Sequence, residues 1–115
     1  MAQDIIAKLS NFANSAQKTR LVIDLVRGKP ALKALEILAT TPNKAAMPVR
    51  KLIYSAISNA EENFGISRDD LVVYRIFADE APTRKWRRFG ARGRFKPMLK
   101  RRSHITVILR ETEQN

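Results

Sequence analysis

The residues of this sequence with the clearest chemistry are ten cations gathered between Arg84 and Arg102. The segment contains no acidic residue and carries almost all of the formal net charge of +11. Most of these cations are arginines, which bind phosphate through two parallel hydrogen bonds and stack on planar rings. Trp86, Phe89 and Phe95 are interleaved with them. This composition predicts contacts with both the phosphates and the bases of a nucleic acid.

The sequence offers little for catalysis. It has one histidine and no cysteine, so thiolate nucleophiles, disulfides and cysteine-based metal sites are excluded. Six of the eleven acidic residues come as adjacent pairs, such as Glu61 and Glu62, which point apart on a helix or strand and form no carboxylate dyad. Residues 90–94 (GARGR) lack the lysine and hydroxyl residue of a phosphate-binding loop. We therefore predict a protein that is not an enzyme and that carries no metal and no cofactor.

Two other anionic partners for a basic chain are a membrane surface and duplex DNA. A membrane partner is disfavoured because no apolar run approaches the ~18–20 residues that span a bilayer. Residues 90–97 (GARGRFKP) also interrupt any amphipathic helix, and the first residues do not have the pattern of a signal peptide. We predict a cytoplasmic protein without membrane contact. DNA coating stays open as an alternative, because attraction to phosphate does not depend on sequence.

The first half of the chain has the apolar spacing of three helices. Ser15 suits the cap of the first and Gly28 its end, Pro30 suits the start of the second, and Pro48 makes the start of the third irregular. The predicted bounds are residues 16–27, 31–40 and 43–64. The residues expected to form the buried faces are Leu21, Leu25, Val22 and Val26, then Leu32, Leu35 and Leu38, then Val49, Leu52, Ile53, Ala56, Ile57, Ala60 and Phe64.

The period then changes to that of β-strands. Residues 71–78 (LVVYRIFA) are rich in β-branched and aromatic types, and residues 104–109 (HITVIL) alternate in polarity. Residues 5–12 predict a third, weaker strand. We therefore predict a single α+β domain over residues 1–115, with three helices packed on a small three-stranded antiparallel sheet.

The basic segment lies in the connection between the two clear strands, and such a long structureless connection is rare in a compact domain. Unpaired cations cannot be buried in the core. We therefore predict that residues 79–102 protrude as a long β-hairpin, here called the arm, from a globular body of residues 1–78 and 103–115. Gly90 and Gly93 give its turn the conformational freedom it needs. At ~3.3 Å per residue the arm reaches ~30 Å, and because an isolated hairpin is marginal in water, only a polyanion fixes it.

Four stretches resemble, in order and spacing, the bacterial large-subunit ribosomal protein family numbered twenty-two. They are RLVIDLVRGKPALKALEIL, SAISNAEENFG, FADEAP and RGRFKPMLKRRSHITVIL, and the similarity runs from about Ala7 to Arg110. The resemblance implies a structural protein that binds 23S-type rRNA, contacts neighbouring large-subunit proteins and assists subunit assembly. It also implies a monomer within the cytoplasmic ribosome. The body would lie at the subunit surface near the tunnel exit, with the arm running through rRNA and lining the nascent-peptide tunnel.

The charge pattern and the resemblance point to the same residues of the arm. The expected rRNA-binding residues are Arg84, Lys85, Trp86, Arg87, Arg88, Arg92, Arg94, Lys96, Lys100, Arg101 and Arg102, with Lys18 and Arg20 on the body. The resemblance implies a tunnel-lining tip of Arg87, Arg88, Phe89, Gly90, Ala91 and Arg92, where the nascent peptide would pass. For Lys18 and Arg20 an ordinary solvated face is an equally open interpretation. Phe95 fits the pinning of the hairpin as well as base stacking.

Overall fold

The computed structural model describes residues 4–81, 84–89, 95–100 and 102–112. Its elements confirm the α+β class, with three helices and a three-stranded antiparallel sheet. In chain order they are β1 (Asp4–Phe12), α1 (Ala16–Ile23), α2 (Ala31–Thr40), α3 (Ala46–Phe64), a 3-10 turn (Arg68–Asp70), β2 (Leu71–Glu80), β3 (Arg84–Phe89), β4 (Phe95–Lys100) and β5 (Ser103–Glu111).

The body is built on β5, which lies between β1 and β2 and pairs antiparallel with both. Its residues Ile105, Val107 and Leu109 are fully buried, as the alternation in the sequence predicts. The weaker strand at the N-terminal end is confirmed as β1. In β2 the register shifts between Val73 and Arg75, so Tyr74 occupies a β-bulge.

The helix α2 has the predicted bounds, whereas α1 ends at Ile23, four residues before the predicted end. Beyond Ile23 the backbone bonds shorten to i→i−3, as in Leu25 N to Val22 O. Gly28, at a φ of +77°, then donates its N–H to the Val73 carbonyl. The helix therefore stops early because the following turn is hydrogen-bonded to β2, a contact that local periodicity does not encode.

The third helix begins at Ala46, three residues after the predicted start, because residues 43–45 form a turn in which the Asn43 side chain accepts a hydrogen bond from the Ala45 N–H. Pro48 lies within the first turn, where its missing N–H breaks no intrahelical bond. This position explains why the central core helix tolerates a proline. At the other end, Gly65 takes the left-handed conformation that commonly terminates helices.

The core lies between the helices and one face of the sheet. Val49, Ile53 and Ile57 of α3 are fully buried in it, as predicted. Three expectations for buried residues are wrong: Leu21 is 67% exposed, Leu25 46% and Phe64 40%. The core side of α1 is formed by residues such as Ala16, Val22 and Ile23, and α2 contributes Ala31, Ala34 and Leu38, with Leu32 and Leu35 only partly buried.

The predicted hairpin is present as a second, two-stranded sheet in which β3 pairs antiparallel with β4. The pairing runs from Arg84 opposite Lys100 to Phe89 opposite Phe95. The body sheet continues to Glu80 opposite Ser103, and the Ala81 N–H then donates to the Arg102 carbonyl. The molecule measures 69 × 26 × 19 Å and has a radius of gyration of 17.5 Å, against about 13 Å for a compact domain of this length.

Candidate nucleic-acid interface

The predicted binding residues of the arm fall into three groups: those on the paired strands β3 and β4, Arg102, and those outside the described residues. The strands carry Arg84, Lys85, Trp86, Arg87, Arg88, Phe89, Lys96 and Lys100. Arg102 lies between β4 and β5. Outside the described residues lie Arg94, Arg101 and half of the proposed tip, namely Gly90, Ala91 and Arg92.

The backbone register brings like charges opposite each other in this hairpin. Arg84 is paired with Lys100 and Arg88 with Lys96. Like charges at directly opposite positions of an antiparallel pair destabilise it. The pairing of β3 with β4 is therefore strengthened by any anion that neutralises these positions.

On the body, Arg20 is held against the free edge of β2. Its Nε and Nη2 atoms donate to the Ala78 carbonyl over 3.2 and 2.9 Å. Arg27 does the same two residues away, with Nη2 donating to the Ile76 carbonyl over 3.0 Å. An edge strand has carbonyls without a neighbouring strand to bind them, and the two guanidinium groups satisfy these. Sequence reasoning included Arg20 among the candidates but missed its contact with β2.

The two candidates on α1 differ in what holds them. Lys18 is exposed in the first turn, and its backbone N–H donates to the capping Ser15 Oγ over 3.3 Å. Arg20 is exposed as a residue, yet its guanidinium is fixed by the bonds to Ala78. The helix therefore places an exposed lysine close to an arginine whose guanidinium is anchored.

A charged cluster that sequence reasoning missed lies at the end of the sheet away from the arm. Arg110 donates from Nε to Asp4 Oδ1 over 2.8 Å, and its Cζ lies 3.5 Å from the ring centroid of Tyr74. The hydrogen bond from Arg110 holds the pKa of Asp4 below its ordinary value and raises that of Arg110. Asp4 and Arg110 are brought together by the pairing of β1 with β5, and local sequence patterns do not specify that register.

A second ion pair joins the end of α3 to the 3-10 turn. Arg68 donates from Nε and Nη2 to the two carboxylate oxygens of Glu61, at 3.0 and 2.6 Å. This bidentate hydrogen bonding lowers the pKa of Glu61 and raises that of Arg68. Both ion pairs stabilise the body, and neither of them includes Arg20 or Arg27.

Neither a metal site nor a membrane span emerges from this geometry. Across residues 4–81, 84–89, 95–100 and 102–112, no group of three or more His, Asp or Glu side chains is placed to hold a metal ion. In the same part of the chain, no helix has the length and apolarity needed to cross a bilayer.

A separate, strongly cationic two-stranded extension on a small α+β body is the electrostatic footprint of a protein that binds nucleic acid. Comparison with known proteins gives the particular family. The family model of ribosomal protein L22p/L17e matches residues 7–110. A similar curated protein is the large ribosomal subunit protein uL22 of Buchnera aphidicola subsp. Cinara cedri (strain Cc), 44% identical over 112 residues, covering 97% of this chain and 90% of that protein. The chain therefore belongs to the ribosomal protein L22p/L17e family.

Proposed function

We propose that this chain is a structural, non-catalytic rRNA-binding protein of the large ribosomal subunit. Membership of the ribosomal protein L22p/L17e family supports the ribosomal assignment, and the name of the similar uL22 protein supports the large subunit. The proposed partners are 23S-type rRNA, neighbouring large-subunit proteins and the nascent peptide. The proposed location is the cytoplasmic ribosome, where the chain acts as a monomer.

The observation that carries the proposal is the separation of the arm from the body. The arm forms its own two-stranded sheet and is strongly cationic, whereas the body has its own apolar core. The pairing of Arg84 with Lys100 and of Arg88 with Lys96 opposes like charges. Phosphates on either side of the hairpin relieve this repulsion, so the arm is best stabilised when rRNA surrounds it.

We infer that the body and the arm, which are separate in structure, also have separate roles in the subunit. The body, residues 1–78 and 103–115, lies at the subunit surface near the tunnel exit, and the arm, residues 79–102, passes inward through rRNA. The arm cations bind several rRNA segments at once and assist assembly of the subunit. The tip, Arg87 to Arg92, lines the tunnel through which the nascent peptide passes. These finer roles rest on the family resemblance.

Arg20 suits a second rRNA contact on the body. A guanidinium has five N–H donors, and Arg20 uses its Nε and Nη2 groups on the Ala78 carbonyl. The remaining donors are available to a phosphate while the side chain is already ordered, so binding costs little additional conformational entropy. The neighbouring Lys18 adds a mobile positive charge beside it.

The proposal is tested by comparing folded fragments of large-subunit rRNA with duplex DNA of equal length at the same salt concentration. Tighter binding to rRNA is expected, because a thin hairpin fits the crevices of folded RNA. If about 6–8 phosphates are neutralised, log affinity falls against log salt with a slope of about −4 to −7. Equal affinity for the duplex would favour DNA coating, and an affinity independent of salt would exclude the phosphate contacts.

A further inference from the structure

The helices cover one face of the body sheet, and the other face carries an exposed aromatic ring. In β2 the buried residues Ile76 and Ala78 alternate with Phe77, which is 38% exposed. An exposed phenylalanine on an open sheet face gives up part of the free energy that burial would provide. The ring lies on the sheet face that the helices leave uncovered, so a partner can contact it there.

At the edge of β2, two guanidinium groups bind the backbone carbonyls on either side of Phe77. The carbonyl before Phe77 accepts from Arg27, and the carbonyl after it accepts from Arg20. Two residues along a strand span about 6.6–6.8 Å, so the two bonded groups are separated by about that distance. The Arg27 side chain is still 48% exposed, and Arg20 is also exposed. Arg20 is anchored by the Ala78 carbonyl, and Arg27 is anchored both by the Ile76 carbonyl and by its ion pair with Asp24.

The open face adds further positive charge around Phe77. Arg75 is exposed and lies two residues before Phe77 on the same face of β2. Lys8 of β1 is also exposed, and it lies on the far side of Thr106, which is paired with both Lys8 and Phe77. Two strand spacings put the Lys8 backbone about 10 Å from that of Phe77, within reach of its long side chain. The acidic groups nearby are Asp79, which is exposed, and Asp24, which pairs with Arg27.

Tyr74, the other exposed aromatic of β2, differs from Phe77 in its surroundings. One face of its ring is covered by the Arg110 guanidinium, and the Arg75 guanidinium also lies 5.4 Å from the ring centroid. Phe77 has no ring contact of this kind among the described residues. Of the two rings, Phe77 is the one left for an external partner.

We propose that Phe77 is a base-stacking site for a single-stranded segment of rRNA, with the neighbouring phosphates bound by Arg20, Arg27 and Arg75. The inference rests on the proposed function and adds a particular contact on the body. Aromatic rings bordered by arginines bind unpaired bases through stacking and phosphate contacts together. The strands β2 and β5 also lead directly into the arm, so one RNA segment can continue from the arm onto this face.

The test uses the full chain and a short oligouridine containing photoreactive thiouridine. After irradiation and trypsin digestion, a crosslink is expected in the peptide of residues 76–84, which contains Phe77. At subsaturating RNA, Phe77→Leu should lower this yield about fivefold or more, the lower limit of base–aromatic stacking. Phe77→Tyr keeps the ring and should keep the crosslink. Arg75→Gln should lower the yield and flatten its salt dependence by about one unit of slope. Because this change removes the trypsin site after Arg75, the crosslink is then read in the peptide of residues 69–84.

The control is Tyr54→Leu, because Tyr54 is a 50% exposed aromatic residue on α3 whose arginine neighbour is Arg68 rather than Arg20 or Arg27. It should leave the crosslink in residues 76–84 unchanged. Equal crosslinking of the peptide of residues 52–68 would show non-selective contact and overturn the inference. Crosslinking of residues 76–84 to a neighbouring protein instead of rRNA, within intact large subunits, would also overturn the inference.

The outcomes also separate this inference from the proposed function. Salt-sensitive rRNA binding with crosslinks at Trp86 but none at Phe77 would refute the stacking site alone. If the chain did not bind rRNA at all, the proposed function would be refuted too.

Discussion

Replacing Arg20 by glutamine is expected to weaken both the fold and the binding of RNA. The change removes two hydrogen bonds from a charged donor to the Ala78 carbonyl at the edge of β2. Hydrogen bonds to charged groups contribute about 1.5–3 kcal/mol, but Arg20 is exposed and water can replace part of the loss. We therefore expect the free energy of unfolding to fall by about 1–1.5 kcal/mol, which lowers the melting temperature by about 4–8 °C.

Two further variants separate the structural effect from the phosphate contact. Arg20→Lys keeps the charge but lacks the planar fork, so it should lose most of the same stability and retain the salt dependence of rRNA binding. Lys18→Gln removes an exposed cation from the same helix and should leave stability unchanged while reducing the salt slope by about one. The assays are urea unfolding followed by circular dichroism and rRNA affinity over a salt series. Unchanged stability in Arg20→Gln would refute the claim that this side chain holds the edge of β2.

The remaining predictions concern the arm, the core and the ion pairs. Deleting residues 87–92 should reduce rRNA affinity and leave the melting temperature of the body within about 2 °C of that of the unaltered chain. The reason is that the described core cluster consists of body residues. Unfolding of the body in this variant would contradict the division of roles. Ile53→Ala should lower the free energy of unfolding by about 2–5 kcal/mol, since Ile53 is fully buried in α3, and urea denaturation checks this against Met47→Ala at an exposed position of the same helix. The pKa of Asp4 is lower in the folded chain, so its ion pair stabilises the fold above the ordinary carboxyl pKa and is lost as the pH falls through the lowered value. Asp4→Asn should therefore show a smaller drop in urea midpoint between neutral and acidic pH than the unaltered chain, and an equal drop would show that the pair does not contribute.

Much of the fold could be predicted from local patterns. The alternation of residues 104–109 identified the central strand β5, and the lack of acids in residues 84–102 indicated a segment that no core accommodates. The bounds of α2 followed from Pro30 and the spacing of apolar residues. Each of these signals acts between residues close together in the chain, so the sequence displays it directly.

The edge contacts of β2 could not be predicted in the same way. Arg20 and Arg27 bind the Ala78 and Ile76 carbonyls, which lie 58 and 49 residues further along the chain. The early end of α1 has a related cause, because the turn at Gly28 is bonded to Val73. The exposure of Leu21 and Leu25 depends on which face of α1 meets the sheet, and an apolar stripe does not by itself specify this.

The way the chain closes the side of β2 has a consequence for the protein before it meets any partner. Side-chain donors from Arg20 and Arg27 and the backbone bridge between Pro30 and Val72 all occupy this side. An uncovered strand would invite a second copy to add its own strand there and begin an aggregate. Newly synthesised copies that are still free in solution are thus protected from strand pairing on this side by contacts within their own chain.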